Sequence, residues 1–100
     1  MNDELYQALA NNYRREILRL LKTESMRAGD IADHFDIKAP SISRHLDVLK
    51  RANIVTSQRN FNQIIYSLNK PVARKLLEEL SELLGIDLSE FISDKNQEDE

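Results

Sequence analysis

Three turns of chain between Pro40 and Arg51 carry Ser41, Ser43, Arg44, His45, Asp47 and Arg51, interleaved with Ile42, Leu46 and Leu49. At 100° per residue the three aliphatic side chains gather within about 60° on one side of a helix. Arg44, Asp47 and Arg51 then lie opposite, Ser41 and Ser43 take the two flanks, and His45 falls at the edge of the apolar side. A guanidinium on such a face can donate two hydrogen bonds to guanine O6 and N7, and serine hydroxyls suit phosphates or base edges. Asp47 repels phosphate, so it either accepts from cytosine N4 or orients Arg44 or Arg51. His45 has two readings, a half-buried packing residue or a phosphate donor. Lys38 just before the helix and Arg59 further on add cationic contacts. The plain alternative is a solvated face, with Arg44 paired to Asp47 or Glu24.

Other chemistries find little support. The chain has no Cys, which removes thiol nucleophiles, thiolate metal sites and disulfides. His34 and His45 are isolated, without a Ser and an acid arranged around them, and two Gly in 100 residues exclude a glycine-rich phosphate loop. The expectation is therefore no enzyme, no cofactor and no metal.

The formal net charge of −3 averages three unlike blocks. Residues 1–36 hold five basic and seven acidic side chains. Residues 37–75 hold eight basic residues (Lys38, Arg44, Lys50, Arg51, Arg59, Lys70, Arg74, Lys75) against Asp47 alone, and residues 76–100 hold Lys95 against nine acids. A block of net +7 inside an acidic protein predicts one face for a polyanion, with the rest repulsive.

The elements that must position this face follow from periodicity. Asn2 to Ala10 reads as a short Asn-capped helix with Leu5, Ala8 and Leu9 apolar. Tyr13, Ile17, Leu20 and Leu21 form the stripe of a second helix, and Ala28 to Phe35 a third of two turns. Pro40 fits the first turn of the fourth, which runs to about Ala52. The period then shortens: Ile54–Arg59 and Gln63–Leu68 read as two strands around the turn Asn60-Phe61-Asn62. Asn69-Lys70-Pro71 opens a helix with Val72, Leu76, Leu77, Leu80, Leu83 and Leu84 apolar, stopped by Gly85. Asp87 and Glu90 make a capping pair for a last turn, Leu88 to Ile92. The reading is one domain over 1–93, with 94–100 an acidic flexible tail. No apolar run is long enough for a membrane span and the N-terminus is acidic, so a soluble cytoplasmic protein is expected.

This order predicts a mainly α fold of five to six helices with a β-hairpin wing, a winged helix-turn-helix. The break between Phe35 and Pro40 forces two helices to cross steeply, which turns the polar face of the second outward to a major groove. Six apolar positions on a terminal helix exceed what so small an interior needs. Leu76, Leu80 and Leu83, with Leu5 and Leu9, therefore predict a homodimer seam. A winged helix whose partner is another protein is the alternative, and the basic block speaks against it. An RNA-binding module would need aromatics on the polar face for stacking, and there are none.

Asp30-Ile31-Ala32-x-x-Phe35-x-Ile37-x-x-Pro40-Ser41-Ile42-Ser43-Arg44-His45-Leu46-x-x-Leu49 resembles the helix-turn-helix of the ArsR family of bacterial repressors. Tyr13-Arg14-Arg15-x-Ile17-Leu18-x-Leu20-Leu21 is similar to that family's second helix, and Ile65-Tyr66-Ser67-Leu68 to its second wing strand. Within the family the chain is most similar to the autorepressors of the Sdp toxin-immunity system, through Ala28-Gly29-Asp30-Ile31-Ala32 and Pro40-Ser41-Ile42-Ser43. The resemblance implies a homodimer joined through its first and last helices, a palindromic double-stranded DNA operator, autoregulatory repression, and an effector that releases DNA. Arg27 and Gly29 stand where metal-sensing members keep paired Cys, and residues 71–84 hold neither Asp nor His for the family's other metal site. A small ligand, a protein partner such as an immunity-type membrane protein, or no effector at all is what remains. Phe61 replaces the usual wing-tip Gly, and Lys38 and Ala39 replace the usual Ser and Gln before Pro40.

Overall fold

The computed structural model describes residues 3–91. Its elements run α1 (Asp3–Leu9), α2 (Asn12–Leu21), β1 (Met26–Arg27), α3 (Ala28–Ala32), α4 (Ala39–Arg51), β2 (Val55–Asn60), β3 (Gln63–Leu68) and α5 (Lys70–Leu84), followed by a sixth helical segment over 88–91. The fold is a winged helix-turn-helix: helices around a three-stranded antiparallel sheet whose outer hairpin is the wing. The expected Asn2 cap, the end of the last turn at Ile92 and the acidic tail at 94–100 lie outside the described residues.

Local chemistry explains most element ends. Asn11, in extended backbone, accepts from the Arg14 N–H at 3.1 Å and starts α2. Asn69 caps α5 through the Val72 N–H at 3.4 Å, and Pro71 in the first turn loses no hydrogen bond. Gly85, at φ +70°, ends α5. Ile86 N–H reaches the Ser81 carbonyl at 2.9 Å and Gly85 N–H the Glu82 carbonyl at 3.3 Å, the pair that closes a helix on a left-handed residue. Asp87 accepts from the Ser89 N–H at 2.9 Å and hydroxyl at 2.7 Å, so it caps the last turn through Ser89 rather than through the expected pair with Glu90, whose N–H bonds the Asp87 carbonyl at 3.2 Å.

α1 is closed from outside. The Arg14 guanidinium donates from Nε to the Ala8 carbonyl at 2.7 Å and from Nη2 to Gln7 at 3.0 Å, and Arg15 donates to Leu9 at 2.9 Å. Two cations thus satisfy the orphan carbonyls at the negative end of the helix. Tyr6 donates its hydroxyl to Glu79, tying α1 to α5.

Three expectations are corrected. α3 stops at Ala32 rather than Phe35. Beyond it His34 N–H bonds Ile31 and Phe35 N–H bonds Ala32, three residues back, so the helix tightens into a turn. Met26–Arg27 is a third strand, pairing Met26 with Tyr66 and Arg27 with Ile65; two residues carry no periodicity to read. The hairpin turn is two residues, not three, because Asn60 pairs with Gln63 and leaves Phe61-Asn62 as the loop.

The core gathers Ile17, Ile31, Ile42, Leu46, Leu49, Ile54 and Val55, all fully buried, with Leu5, Ala8, Leu21, Ala52 and Tyr66 around them. Each large aliphatic contributes about 1.5–3 kcal/mol by leaving water. Three of them sit on α4, which fixes its rotation and so the face it shows to solvent.

Candidate nucleic-acid interface

With Ile42, Leu46 and Leu49 inward, Ser43, Arg44, Asp47, Lys50 and Arg51 are exposed along α4, and Ser41 and His45 are half-buried at its edge. Lys38 is exposed at the start of the helix. Its side chain makes no cap hydrogen bond and Pro40 has no N–H, so the positive end of α4 opens to solvent. The expected face is therefore assembled on one helix, with two refinements. Arg51 borders a shallow hollow with Glu4, Gln7, Arg14 and Val48 beside α1, and a second hollow with Asp47 and Lys50. Lys50 was not among the expected contacts; it lies next to Arg51 in sequence, and its charge was the available signal.

Burial first, and then the charge of Asp47, push the Tyr66 hydroxyl on β3 above its ordinary value. The carboxylate is thus within electrostatic range of the wing as well as exposed on the helix.

His45 is held sideways. Its ring stacks on Tyr13 with centroids 5.6 Å apart and 24° between planes, and Tyr13 meets Phe35 edge-on at 6.0 Å. Arg14 Nη1 stands 3.3 Å from His45 Nδ1. A guanidinium only donates, so Nδ1 accepts, the proton sits on Nε2, and only Nε2 is left for an external acceptor. Arg14 thereby joins the end of α1 to α4. Burial, then the charges of Arg14 and Arg44, hold the His45 imidazole below its ordinary value. The unfolded chain takes up this proton near pH 6.5 and the folded ring only at a lower pH, so the contribution is complete above about pH 6.5 and shrinks as acid is added. His45→Phe keeps the stack and removes the titration. Its denaturation midpoint should fall less than that of the wild type between pH 7 and 5, and equal slopes would refute the assignment.

The wing continues from α4 with little slack. Asn53 takes φ +65°, a conformation Asn tolerates, and ends the helix. Asn69 then clamps the base of the hairpin, its Nδ2 donating to the Asn53 carbonyl at 2.8 Å and its N–H to Ile54 at 2.9 Å. Val55 and Tyr66 are buried, so period 2 puts Arg59 and Ile64 on the same, helix-facing side of the sheet, beyond the edge of the core. Arg59 is exposed there. From Val48 to Leu77 the chain contains no acidic residue.

The model of the bacterial regulatory protein, arsR family, matches residues 11–57, the span from the start of α2 into the first wing strand. The transcriptional repressor SdpR of Bacillus subtilis is 47% identical over 70 residues, which is 70% of this chain and 78% of that protein. The chain belongs to the ArsR family. Among solved structures, a possible transcriptional regulator for arsenical resistance superposes with a TM-score of 0.72 at 29% identity, covering 94% of this chain and 97% of that one. The homodimeric winged helix-turn-helix domain Mb0332 of Mycobacterium bovis shares the fold at a TM-score of 0.68 and 24% identity, over 98% and 82% of the two chains. As an ArsR-family member this chain is a DNA-binding transcription regulator.

The position at which metal-sensing members of the ArsR family keep paired Cys holds no metal ligand pair here. Arg27 forks onto Asp30, Nε to Oδ2 at 2.9 Å and Nη2 to Oδ1 at 3.3 Å, and this hydrogen bonding holds the Asp30 carboxyl below its usual value. A guanidinium therefore occupies the neighbourhood where thiolates would have to converge. Among the described residues no group of three His, Cys, Asp or Glu could hold a metal ion, and no helix is long and apolar enough to cross a membrane.

The expected dimer residues divide by burial. Leu5 is 2% exposed inside its own protomer's core, so it has no surface to give a partner; the inward face of α1 claims it. Leu9, Leu76 and Leu80 are half-buried, and Leu83 is 72% exposed. α5 has no buried residue at all. Leu77, Leu84, Ile86 and Phe91 join Leu83 in an exposed apolar run that continues past Gly85. Ile86 and Phe91 were missed because they stand beyond the helix stop.

Proposed function

We propose that this protein represses transcription, its own gene's included, by binding a palindromic DNA operator as a homodimer. Each protomer would lay α4 in a major groove and its wing along the adjacent backbone. The observation that carries this reading is the acid-free run from Val48 to Leu77 following an α4 face that exposes Ser43, Arg44 and Arg51. Phosphate charge attracts such a surface irrespective of sequence, and the side chains of α4 supply base discrimination. Lys38, Ser41, Ser43, Arg44, Asp47, Arg51 and Arg59 are the assigned contacts, with His45 contributing through Nε2. The dimer would close on the exposed apolar run of α5, with Leu9, Leu76 and Leu80 at its border. Repression is supported by the likeness to SdpR, itself described as a transcriptional repressor.

Release from DNA is assigned to a protein partner, such as an immunity-type membrane protein, or to dilution of the repressor itself. The Arg27–Asp30 pair and the lack of any Cys speak against metal or oxidant. A mobility shift with the gene's upstream duplex, against unrelated duplex and RNA of equal length, tests the reading. Preferential binding of the upstream duplex, unchanged by zinc, EDTA or peroxide, is expected. Equal binding to all three nucleic acids refutes operator recognition, and a tenfold change with any additive refutes the release assignment.

A further inference from the structure

Phe61 stands at the tip of the wing and is 92% exposed, the most solvent-exposed of the large apolar side chains described. Its backbone is also unfavourable, at φ +60°, while Asn62, its partner in the two-residue loop, is not in the positive region. Positive φ at the first loop position alone is the pattern of a turn that favours Gly there. One residue therefore combines an aromatic ring in water with a backbone conformation that bulky side chains rarely adopt, and the protomer's core takes nothing from it. Such strain, where the fold gains no packing in return, points to function. The surroundings indicate the partner. Exposed Arg59, Asn60, Asn62 and Gln63 flank the ring, Ile64 is partly exposed behind it, and no acid occurs between Val48 and Leu77.

We propose that Phe61 is a wedge that enters a base step of the DNA minor groove at the outer edge of each half-site, partly unstacking it and bending the duplex. This rests on the DNA-binding reading above and adds to it a residue that reads deformability. Apolar side chains between amide donors suit this groove. The amides meet adenine N3 and thymine O2, Arg59 holds the flanking phosphate, and the ring replaces lost stacking. Pyrimidine–purine steps open most readily, so the contacted step should be TA or CA/TG. A lipid surface is less favoured, because one ring would have to draw three side-chain amides towards hydrocarbon.

The test uses the full chain and a duplex selected by it from a randomised library, with 2-aminopurine placed in turn at each flanking position. Wild type should raise the fluorescence of the probe at one step per half-site. Phe61→Gly should abolish the rise and weaken binding roughly tenfold, with Tm unchanged or higher because Gly relieves the backbone. Phe61→Leu should retain part of both effects. A Phe61→Gly protein with wild-type affinity and wild-type fluorescence overturns the wedge while leaving DNA binding intact. If the library yields no duplex, the DNA-binding reading falls and the wedge with it. Loss of binding to phosphatidylglycerol vesicles in Phe61→Gly, with duplex affinity and fluorescence kept, overturns the wedge in favour of a lipid surface.

Discussion

Arg44→Ala should erase the preference for one base pair in each half-site while leaving the rest of the recognition pattern in place. Arg44 is exposed on α4, opposite Ile42, Leu46 and Leu49, whose burial fixes the rotation of the helix. Its loss removes side-chain donors without disturbing packing. A bidentate arginine–guanine contact is worth about 1–3 kcal/mol, and a symmetric dimer makes it twice, so the affinity for the preferred duplex should fall about 30-fold or more. Arg59→Ala should behave differently. In the proposed complex this exposed wing cation sits on phosphate, so all sequences should weaken alike, and the dependence on salt should flatten by about one counterion per protomer. Binding selections on randomised duplex, repeated at two salt concentrations, separate the two behaviours. If both variants kept the same base preference and lost affinity equally, α4 would not be the recognition helix. Footprints of the wild type should show half-sites about 10 base pairs apart or a multiple of that, because two symmetry-related helices enter the same side of the duplex.

The second large effect concerns assembly. Replacing Leu83 and Leu84 together by Glu should convert a dimer to a monomer. These residues are 72% and 65% exposed, so the protomer's own core does not need them. In a symmetric pair the change puts four carboxylates where four leucines would meet, and each leucine that stays in water forgoes about 1.5–3 kcal/mol. Sedimentation should report a monomer with an unchanged helical spectrum. Operator affinity should drop to that of a single half-site, since one recognition helix and one wing remain. A stable dimer at micromolar concentration in this variant would place the interface elsewhere. These two positions test assembly more cleanly than Leu80, which is half-buried and for which a charge would disturb the protomer as well.

The elements that a single chain segment can specify were legible in the sequence. α4 announced itself by three aliphatics at helical spacing behind Pro40, and α5 by leucines running to Gly85. The second wing strand showed by its alternation, and all three were found in place. The polar face of α4 was legible for the same reason, because a helix with a known inward side has a known outward one. What the sequence left open needed contacts between distant segments. β1 exists only because Met26 and Arg27 meet Tyr66 and Ile65, some forty residues away, and two residues have no pattern of their own. Arg14 reads as a cation outside an apolar stripe, yet it closes α1 and holds His45, because folding brings the end of one helix and the side of another within its reach. Leu5 and Leu83 look alike as leucines on amphipathic helices. Packing decided between them: the small core has room for the first, 2% exposed, and leaves the second to water. Phe61 sits in a turn without periodicity, and the pairing of Asn60 with Gln63 shortens that turn to two residues and leaves the ring in solvent. Sequence by itself thus determined the elements and the chemistry of their faces, since periodicity and capping act within a few residues. Tertiary structure alone decided which faces remain uncovered, because that depends on how much apolar surface the rest of the chain can bury.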